Sequence, residues 1–152
     1  MEWRLELVFV PVSDVDRSKV FYRDQVGFHE DFDTRFSDTV RMVQLTPPGS
    51  GCSIGLLSGM PAGRPGARGM EPGSVDGLTI VVSDINAARA KLSANGVEVS
   101  DVMEAVHEGG RSEYRGVTGE PEGWNAYAFF EDPDGNGWVL QQSPPGESHV
   151  SP

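Results

Sequence analysis

The fold is decided by a stretch of sequence that occurs twice. Residues 10–22 read V-P-V-S-D-V-D-R-S-K-V-F-Y, and residues 80–92 read I-V-V-S-D-I-N-A-A-R-A-K-L. In each copy an apolar, strand-like run ends at V-S-D, and a pattern with helical spacing follows. Asp14 and Asp84 are suited to cap those helices, because a carboxylate can accept the unpaired N–H groups of a first helical turn. We therefore predict helices over about 14–26 and 84–95.

A second pair of similar segments lies in the later part of each half. Residues 46–54 read T-P-P-G-S-G-C-S-I, and residues 132–140 read D-P-D-G-N-G-W-V-L. A proline followed by glycines favours a tight turn between two strands. Each half thus reads as a strand, a helix and three further strands. The predicted strands are 4–12, 29–36, 39–46, 52–58, 76–83, 97–105, 125–131 and 137–142.

The two halves are joined by a segment that is too rich in glycine and proline for regular structure. This segment, residues 59–75, is predicted to link one module at about 4–58 to another at 76–142. Strands and helices in this order indicate an α+β fold in one domain over residues 1–143. Residues 144–152 are predicted to be a disordered tail.

Composition excludes several classes of protein. The 152 residues include 23 acidic and 12 basic side chains, a formal net charge of −11. That field repels nucleic acid, and no Lys/Arg cluster opposes it. The apolar runs are far shorter than the roughly 20 residues of a membrane-spanning helix, and the N-terminus lacks the pattern of a secretion signal. With one cysteine, Cys52, and hence no internal disulfide, we expect a cytoplasmic protein that binds neither nucleic acid nor a membrane.

Three motifs together resemble the vicinal-oxygen-chelate superfamily, which contains glyoxalases, bleomycin-resistance proteins and dioxygenases. They are Phe21-Tyr22 after the first helix cap, the second V-S-D, and F-E-D-P-D-G-N at residues 130–136, and the resemblance spans about residues 5–142. It implies two tandem βαβββ modules whose mixed sheets form a cup around a cavity, and assembly as a homodimer. Enzymes and antibiotic-sequestering proteins share this fold, so the fold does not decide the function.

The resemblance also implies where a divalent metal would be bound. Catalytic members place His or Glu ligands on four strands, and the corresponding positions here are Leu7, Ser53, Gly77 and Val139. Leucine, glycine and valine side chains offer no donor, and a neutral serine is a poor ligand. A shift by one residue would bring in Glu6, which should then face away from the cavity. We expect no metal and no other cofactor; a metal-dependent glyoxalase-like or dioxygenase-like enzyme is the alternative if this register is wrong.

Strand alternation extends those four positions to a predicted cavity wall, because residues two apart on a strand share a face. Such a wall is mostly apolar with a few hydrogen-bonding groups, as in small-molecule pockets. A closed core is the alternative interpretation, and Trp138, next to Val139, should face the helix instead. The predicted wall consists of Leu5, Leu7, Phe9, Ser53, Gly55, Gly77, Thr79, Val81, Val139 and Gln141.

Arg41 and Tyr127 occupy equivalent positions in the two halves. If both face the cavity, Arg41 can counter an anionic ligand. Phe9 and Trp124 can stack on a planar ligand. An arginine that points outward from an exposed strand is the alternative for Arg41.

The densest polar cluster is E-A-V-H-E-G-G-R-S-E-Y-R at residues 104–115. His107 could act as an acid or base near neutral pH, with Glu104 and Tyr114 as partners. The glycine pair 109–110 would let the segment move as a lid. A solvated connecting loop explains the same residues.

Two functions follow from these observations. The leading hypothesis is a metal-independent protein that sequesters or carries a hydrophobic or aromatic small molecule, such as a metabolite or an antibiotic. The alternative is a metal-independent isomerase, cyclase or lyase that uses His107, Glu104 and Tyr114 for proton transfer.

Overall fold

A computed structural model describes residues 1–147; residues 148–152, the end of the predicted tail, lie outside the described part. Within residues 1–147 the chain forms nine strands and two helices, the first of which continues as a π-helical segment. The elements are β1 (Leu7–Phe9), α1 (Val15–Val20) with its π-helical continuation (Phe21–Val26), β2 (His29–Arg35), β3 (Arg41–Thr46), β4 (Ser53–Ser58), β5 (Leu78–Val82), α2 (Ile85–Ala94), β6 (Met103–Glu108), β7 (Arg111–Gly116), β8 (Tyr127–Glu131) and β9 (Gly137–Gln142).

The strands form two mixed sheets, with the orders β1-β4-β3-β2 and β5-β9-β8-β6-β7. In each sheet the first strand of the module pairs in parallel with the last, as β1 does with β4 and β5 with β9. This confirms the α+β fold of two βαβββ modules, with β7 as an additional edge strand. The described residues divide into two compact units: the first comprises Met1–Asp76 and Glu131–Asn136, and the second comprises Gly77–Phe130 and residues 137–147.

Both helices begin where the repeated V-S-D predicts. The Asp14 carboxylate accepts a hydrogen bond from the Arg17 backbone N–H at 3.1 Å, and Asp84 accepts one from Ala87 at 2.9 Å. These bonds satisfy donors that a first helical turn leaves unpaired. The predicted caps are therefore confirmed.

Residues 104–115 form a β-hairpin instead of a loop. β6 and β7 pair in register from Met103 opposite Gly116 to Glu108 opposite Arg111. Gly109 and Gly110 make the turn with φ values of +58° and +76°, a conformation that other residues rarely adopt. The predicted strand 97–105 begins later, at β6, with only an isolated bridge from Val99 to Phe130 before it. The ladder therefore gives this segment regular β structure, where the sequence had suggested a connecting loop or a lid.

Each unit has one sheet face packed against its helix, and we call the opposite face the open face. In the second unit Trp138 is 4% exposed and stacks on Phe130, with ring centroids 6.1 Å apart. Ile85 and Leu92 of α2 are buried as well. The prediction that Trp138 faces the helix is confirmed.

The D-P-D-G-N turn of the first unit is held by a buried carboxylate. Asp132, 5% exposed, accepts hydrogen bonds from the Tyr22 hydroxyl at 2.7 Å and from Asn136 Nδ2 at 2.8 Å. It also accepts the backbone N–H groups of Asp134 and Asn136, both at 2.9 Å. Asn136 Nδ2 in turn donates to the Pro11 carbonyl at 2.8 Å. Two of the motifs that carry the family resemblance are thus bonded to each other and stabilise the fold.

Candidate ligand-binding site

The second unit carries a groove on the open face of β6, β7 and β8. His107 lies opposite Ser112, and Ala105 lies opposite Tyr114, so these side chains share one face of the hairpin. Tyr127 pairs with Met103 and therefore lies on the same face. The groove has a volume of about 450 Å³. We call it the aromatic groove; its principal lining residues are His107, Ser112, Tyr114, Trp124, Asn125 and Tyr127.

Tyr114, Trp124 and Tyr127 contribute three aromatic rings to the wall of this groove, beside the polar side chains of His107, Ser112, Glu113 and Asn125. The Tyr114 ring meets Tyr127 edge-on with centroids 5.4 Å apart, and it meets Phe129 in the same way at 4.9 Å. Although Tyr114 packs in this cluster, it remains 52% exposed. Edge-to-face packing orients the rings and leaves apolar surface open to a ligand.

Gln141 fixes two members of the aromatic groove. Its Nε2 donates to the Trp124 carbonyl at 2.9 Å and to the Tyr127 hydroxyl at 3.2 Å. The Trp124 indole N–H donates to Glu147 at 3.1 Å. Because the Tyr127 oxygen accepts from Gln141, the hydroxyl hydrogen can be donated elsewhere, including to a ligand.

At the end of the groove, the side chain of Asn125 bonds to the backbone of Ala105 in β6. Its Oδ1 accepts from the Ala105 N–H at 2.8 Å, and its Nδ2 donates to the Ala105 carbonyl at 3.1 Å. The Asn125 side chain, two residues before β8 begins, thus bonds to the backbone of β6 as a neighbouring strand would. This pair of bonds holds the 121–125 loop at the edge of the sheet.

The structure brings together two of the three residues predicted for proton transfer. His107 and Tyr114 both line the aromatic groove, and His107 Nδ1 lies 2.6 Å from Ser112 Oγ. Glu104 lies opposite Arg115, on the other face of the hairpin. It therefore faces away from His107, because alternate residues of a strand point to opposite sides.

The predicted wall residues of the second unit share the open face. Thr79 pairs with Val139, and Val81 with Gln141, so parallel pairing places their side chains on one side. Val81 is 45% exposed. Gly77 precedes β5 and donates its backbone N–H to the Gly137 carbonyl at 3.1 Å.

The first unit shows the same arrangement. Leu7 pairs with Ser53, and Phe9 with Gly55. A Cβ atom at Gly55 would lie 2.8 Å from Phe9 Cδ1, so only glycine lets the Phe9 ring lie across β4. The apolar groove beside Phe9 has a volume of about 160 Å³. Pockets for drug-sized ligands measure about 300–1,000 Å³, so the aromatic groove is the better candidate site.

Arg41 faces the helix side of its sheet and not the open face. It is 6% exposed, and on β3 it alternates into the same layer as the buried Val43 and Leu45. Its guanidinium donates to Asp33 at 2.8 and 2.7 Å and to Asp16 at 2.7 Å. With its charge bound by two carboxylates, Arg41 does not present a free cation on the open face of the first unit.

The Arg41 ion pair changes the titration of its main partner. Hydrogen bonds from Arg41 hold the pKa of the Asp33 carboxyl well below its usual range, against the opposing effect of burial, and Lys19 adds to the lowering. The pKa of the Arg41 guanidinium is raised, chiefly by the same hydrogen bonds with Asp33. Both groups are thus held in their charged forms.

The residues present do not fit a divalent metal. Leu7, Ser53, Gly77 and Val139 stand at the positions implied for ligands, and they provide no imidazole, thiolate or carboxylate. Elsewhere in residues 1–147, no three His, Cys, Asp or Glu side chains lie close enough together to hold an ion.

Comparison with known proteins identifies the family. The profile of the Glyoxalase/Bleomycin resistance protein/Dioxygenase superfamily matches residues 4–140. The chain belongs to this superfamily. No curated protein matches this glyoxalase-superfamily chain significantly. Along the described residues, none of its helices has the length and apolar character needed to span a bilayer.

Solved structures similar to this glyoxalase-superfamily protein include TnmS3, an antibiotic binding protein from Streptomyces sp. CB03234. The two chains are 31% identical over 93% of this chain and 97% of the other, with a TM-score of 0.67. A glyoxalase/bleomycin resistance protein from the same Streptomyces strain is 32% identical over 91% and 100% of the chains, with a TM-score of 0.65. A superfamily member from Sphaerobacter thermophilus DSM 20745 is 25% identical over 93% and 98%, with a TM-score of 0.66.

Sequence reasoning missed Ser112 and Asn125 as lining residues of the aromatic groove. A signal for Ser112 was available, because Gly109-Gly110 between two alternating runs is typical of a two-residue hairpin turn. Asn125 gave no such signal. Its bonds to Ala105 depend on tertiary pairing that local sequence does not specify.

Proposed function

We propose that this protein binds a hydrophobic or aromatic small molecule, such as a metabolite or an antibiotic, in the aromatic groove and without a metal. The proposal rests on one observation: the rings of Tyr114, Trp124 and Tyr127 line a groove of about 450 Å³. That volume is within the range of small-molecule pockets. His107 and Ser112 add polar groups that can orient a ligand.

The family comparison and the neighbouring surface support this proposal. TnmS3, 31% identical to this chain, is described as an antibiotic binding protein. Thr79, Val139 and Gln141 extend the open face of the second unit, and Leu7, Phe9 and Ser53 present a comparable surface on the first. We propose these residues and Gly77 as ligand contacts, each on the open face of its own unit.

A second candidate function is a metal-independent isomerase, cyclase or lyase. The observation that favours it is that His107 and Tyr114 line the same groove. Glu104 does not lie beside them, because its side chain is on the opposite face of the hairpin. Conversion of a compound in a small-molecule extract, lost in His107→Ala, would favour the enzyme. Recovery of an unchanged compound from a stoichiometric complex would favour binding alone.

Titration with N-phenyl-1-naphthylamine, a neutral aromatic fluorophore that brightens in apolar surroundings, tests the binding function. We expect saturable binding of about one probe per chain with a dissociation constant on the order of 10 μM. The probe should be displaced by any tighter natural ligand. Fluorescence that rises linearly without saturation would contradict a defined site.

We also propose that the protein is a cytoplasmic homodimer. Its single cysteine suits a reducing compartment. Trp3 and Leu5 are 89% and 69% exposed, and large apolar side chains in water indicate a surface that associates. Sedimentation equilibrium should give twice the mass of the chain, and Trp3→Ser should shift the protein towards monomer. A monomer at every concentration would contradict the dimer.

A further inference from the structure

A β-bulge interrupts β2 in the first unit. Glu30 pairs with Leu45, and the next pair is Phe32 with Gln44, so Asp31 has no residue opposite it on β3. The extra residue turns the strand and places Asp31 and Phe32, which are consecutive, on the same open face. In a regular strand they would point to opposite sides. The bulge thus directs a carboxylate and an aromatic ring to one surface.

The carboxylate joins three polar side chains on this face. Asp31 Oδ2 lies 2.5 Å from Thr46 Oγ1 and 3.1 Å from Gln44 Nε2. Thr46 Oγ1 lies 2.6 Å from Ser53 Oγ, and Gln44 Nε2 lies 3.4 Å from the same Ser53 oxygen. Ser53 is 7% exposed. We call Asp31, Gln44, Thr46 and Ser53 the acceptor cluster.

The direction of these hydrogen bonds follows from the donors available. An ionised carboxylate only accepts, so Thr46 and Gln44 both donate to Asp31. The Thr46 hydrogen is then used, and the bond to Ser53 must be donated by the Ser53 hydroxyl. Asp31 Oδ1, Gln44 Oε1 and one lone pair each of Thr46 Oγ1 and Ser53 Oγ remain, and each of these can only accept. The cluster therefore suits a ligand group that donates several hydrogen bonds.

The charge on Asp31 is weakly compensated. Lys19 and Arg41 are bound to other carboxylates. Across residues 1–147, the only ion-pair contact of Asp31 is with His29, whose Nε2 lies 3.9 Å from Oδ1, beyond hydrogen-bond distance. That imidazole is 78% exposed and carries charge only when protonated. An additional cation is therefore attracted to this carboxylate.

We propose that the acceptor cluster binds the ammonium group of an amine-bearing aromatic ligand. An ammonium provides three donors and a positive charge, and these suit a cluster whose free groups all accept and include a carboxylate oxygen. Phe32, 39% exposed and on the same face, offers a ring for the apolar part of the ligand and for a cation–π contact. The net charge of −11 favours a cation over an anion. This site lies on the first unit and does not depend on the aromatic groove.

Three indole compounds that differ only in their charged end test the proposal: tryptamine, the neutral alcohol tryptophol, and indole-3-acetate. They are titrated into ¹⁵N-labelled protein at about pH 8, where imidazoles are uncharged. Tryptamine should shift the backbone amide resonances of Gln44, Thr46 and Ser53 and bind about tenfold more tightly than tryptophol. Indole-3-acetate should leave these resonances unchanged. Equal affinities for tryptamine and tryptophol, or no shift at these residues, would overturn the proposal.

A pair of charge-matched variants shows whether Asp31 itself is responsible. Asp31→Asn should weaken tryptamine binding about tenfold and leave tryptophol binding unchanged. Asp38→Asn makes the same change in net charge on the exposed turn between β2 and β3, and it should alter neither the tryptamine affinity nor the tryptophol affinity. The spectrum of each variant reports whether the fold is retained. Equal tryptamine affinities of the two variants would overturn the ammonium site. Resonance shifts confined to the aromatic groove would also overturn it, but they would support the binding function proposed for that groove.

Discussion

Replacing Asp132 by alanine is expected to lower the free energy of unfolding by about 3 to 5 kcal/mol. The buried carboxylate accepts four hydrogen bonds, from the Tyr22 hydroxyl, the Asn136 amide and two backbone N–H groups. Without it these donors are left in a site that is almost closed to water, and each unsatisfied donor costs about 1–3 kcal/mol. Urea denaturation followed by tryptophan fluorescence measures the loss.

Two further variants separate the network from a general effect of mutation. Tyr22→Phe removes one donor of the four, so a loss of about 1–2 kcal/mol is expected. Glu131→Ala removes the exposed carboxylate next in the chain and should change stability by less than about 0.5 kcal/mol. If Asp132→Ala were no more destabilising than Glu131→Ala, the Asp132 network would not be what holds the turn.

Truncating Tyr127 to alanine is expected to weaken N-phenyl-1-naphthylamine binding at least about tenfold. The ring lines the aromatic groove and packs edge-on against Tyr114, so its loss removes contact area and frees the Tyr114 ring. It also removes one of the two groups that Gln141 holds. A tenfold change in the dissociation constant corresponds to about 1.4 kcal/mol of binding free energy, which is a modest loss for the removal of one aromatic contact. Fluorescence titration of each variant gives the affinity.

Controls for Tyr127→Ala keep either the ring or the site intact. Tyr127→Phe retains the ring and loses only the hydrogen bond from Gln141, so most of the affinity should remain. Phe36→Ala removes an aromatic side chain that is 64% exposed on the first unit, outside the groove, and should not affect binding. Equal losses of affinity in Tyr127→Ala and Phe36→Ala would show that the probe binds outside the aromatic groove.

Local sequence was sufficient for most of the fold. The repeated V-S-D located both helix caps because Asp14 and Asp84 meet a requirement that any helix start imposes. Alternation then predicted that Leu7 and Ser53 share a face, as Thr79 and Val139 do, and the strand registers agree. These inferences succeed because capping and alternation depend on near neighbours in the chain.

Features that depend on distant contacts were not predictable. Arg41 and Tyr127 are equivalent in the repeat, yet Arg41 lies beneath α1 because Asp33 and Asp16 neutralise it there. The bulge at Asp31 depends on how β2 pairs with β3, and the residues of β2, H-E-D-F-D-T-R, do not predict it. The candidate site was located only in part for the same reason: Tyr114 and Tyr127 were identified, but not the hairpin register that aligns them.

The most direct test of metal-free binding compares the same protein before and after chelation. The protein is purified without added metal, dialysed against EDTA, and analysed for metal content and for N-phenyl-1-naphthylamine affinity. We predict far less than one metal ion per chain in both samples and the same affinity in each. About one tightly held divalent ion per chain, with binding that is lost on chelation and restored by that ion, would contradict the account.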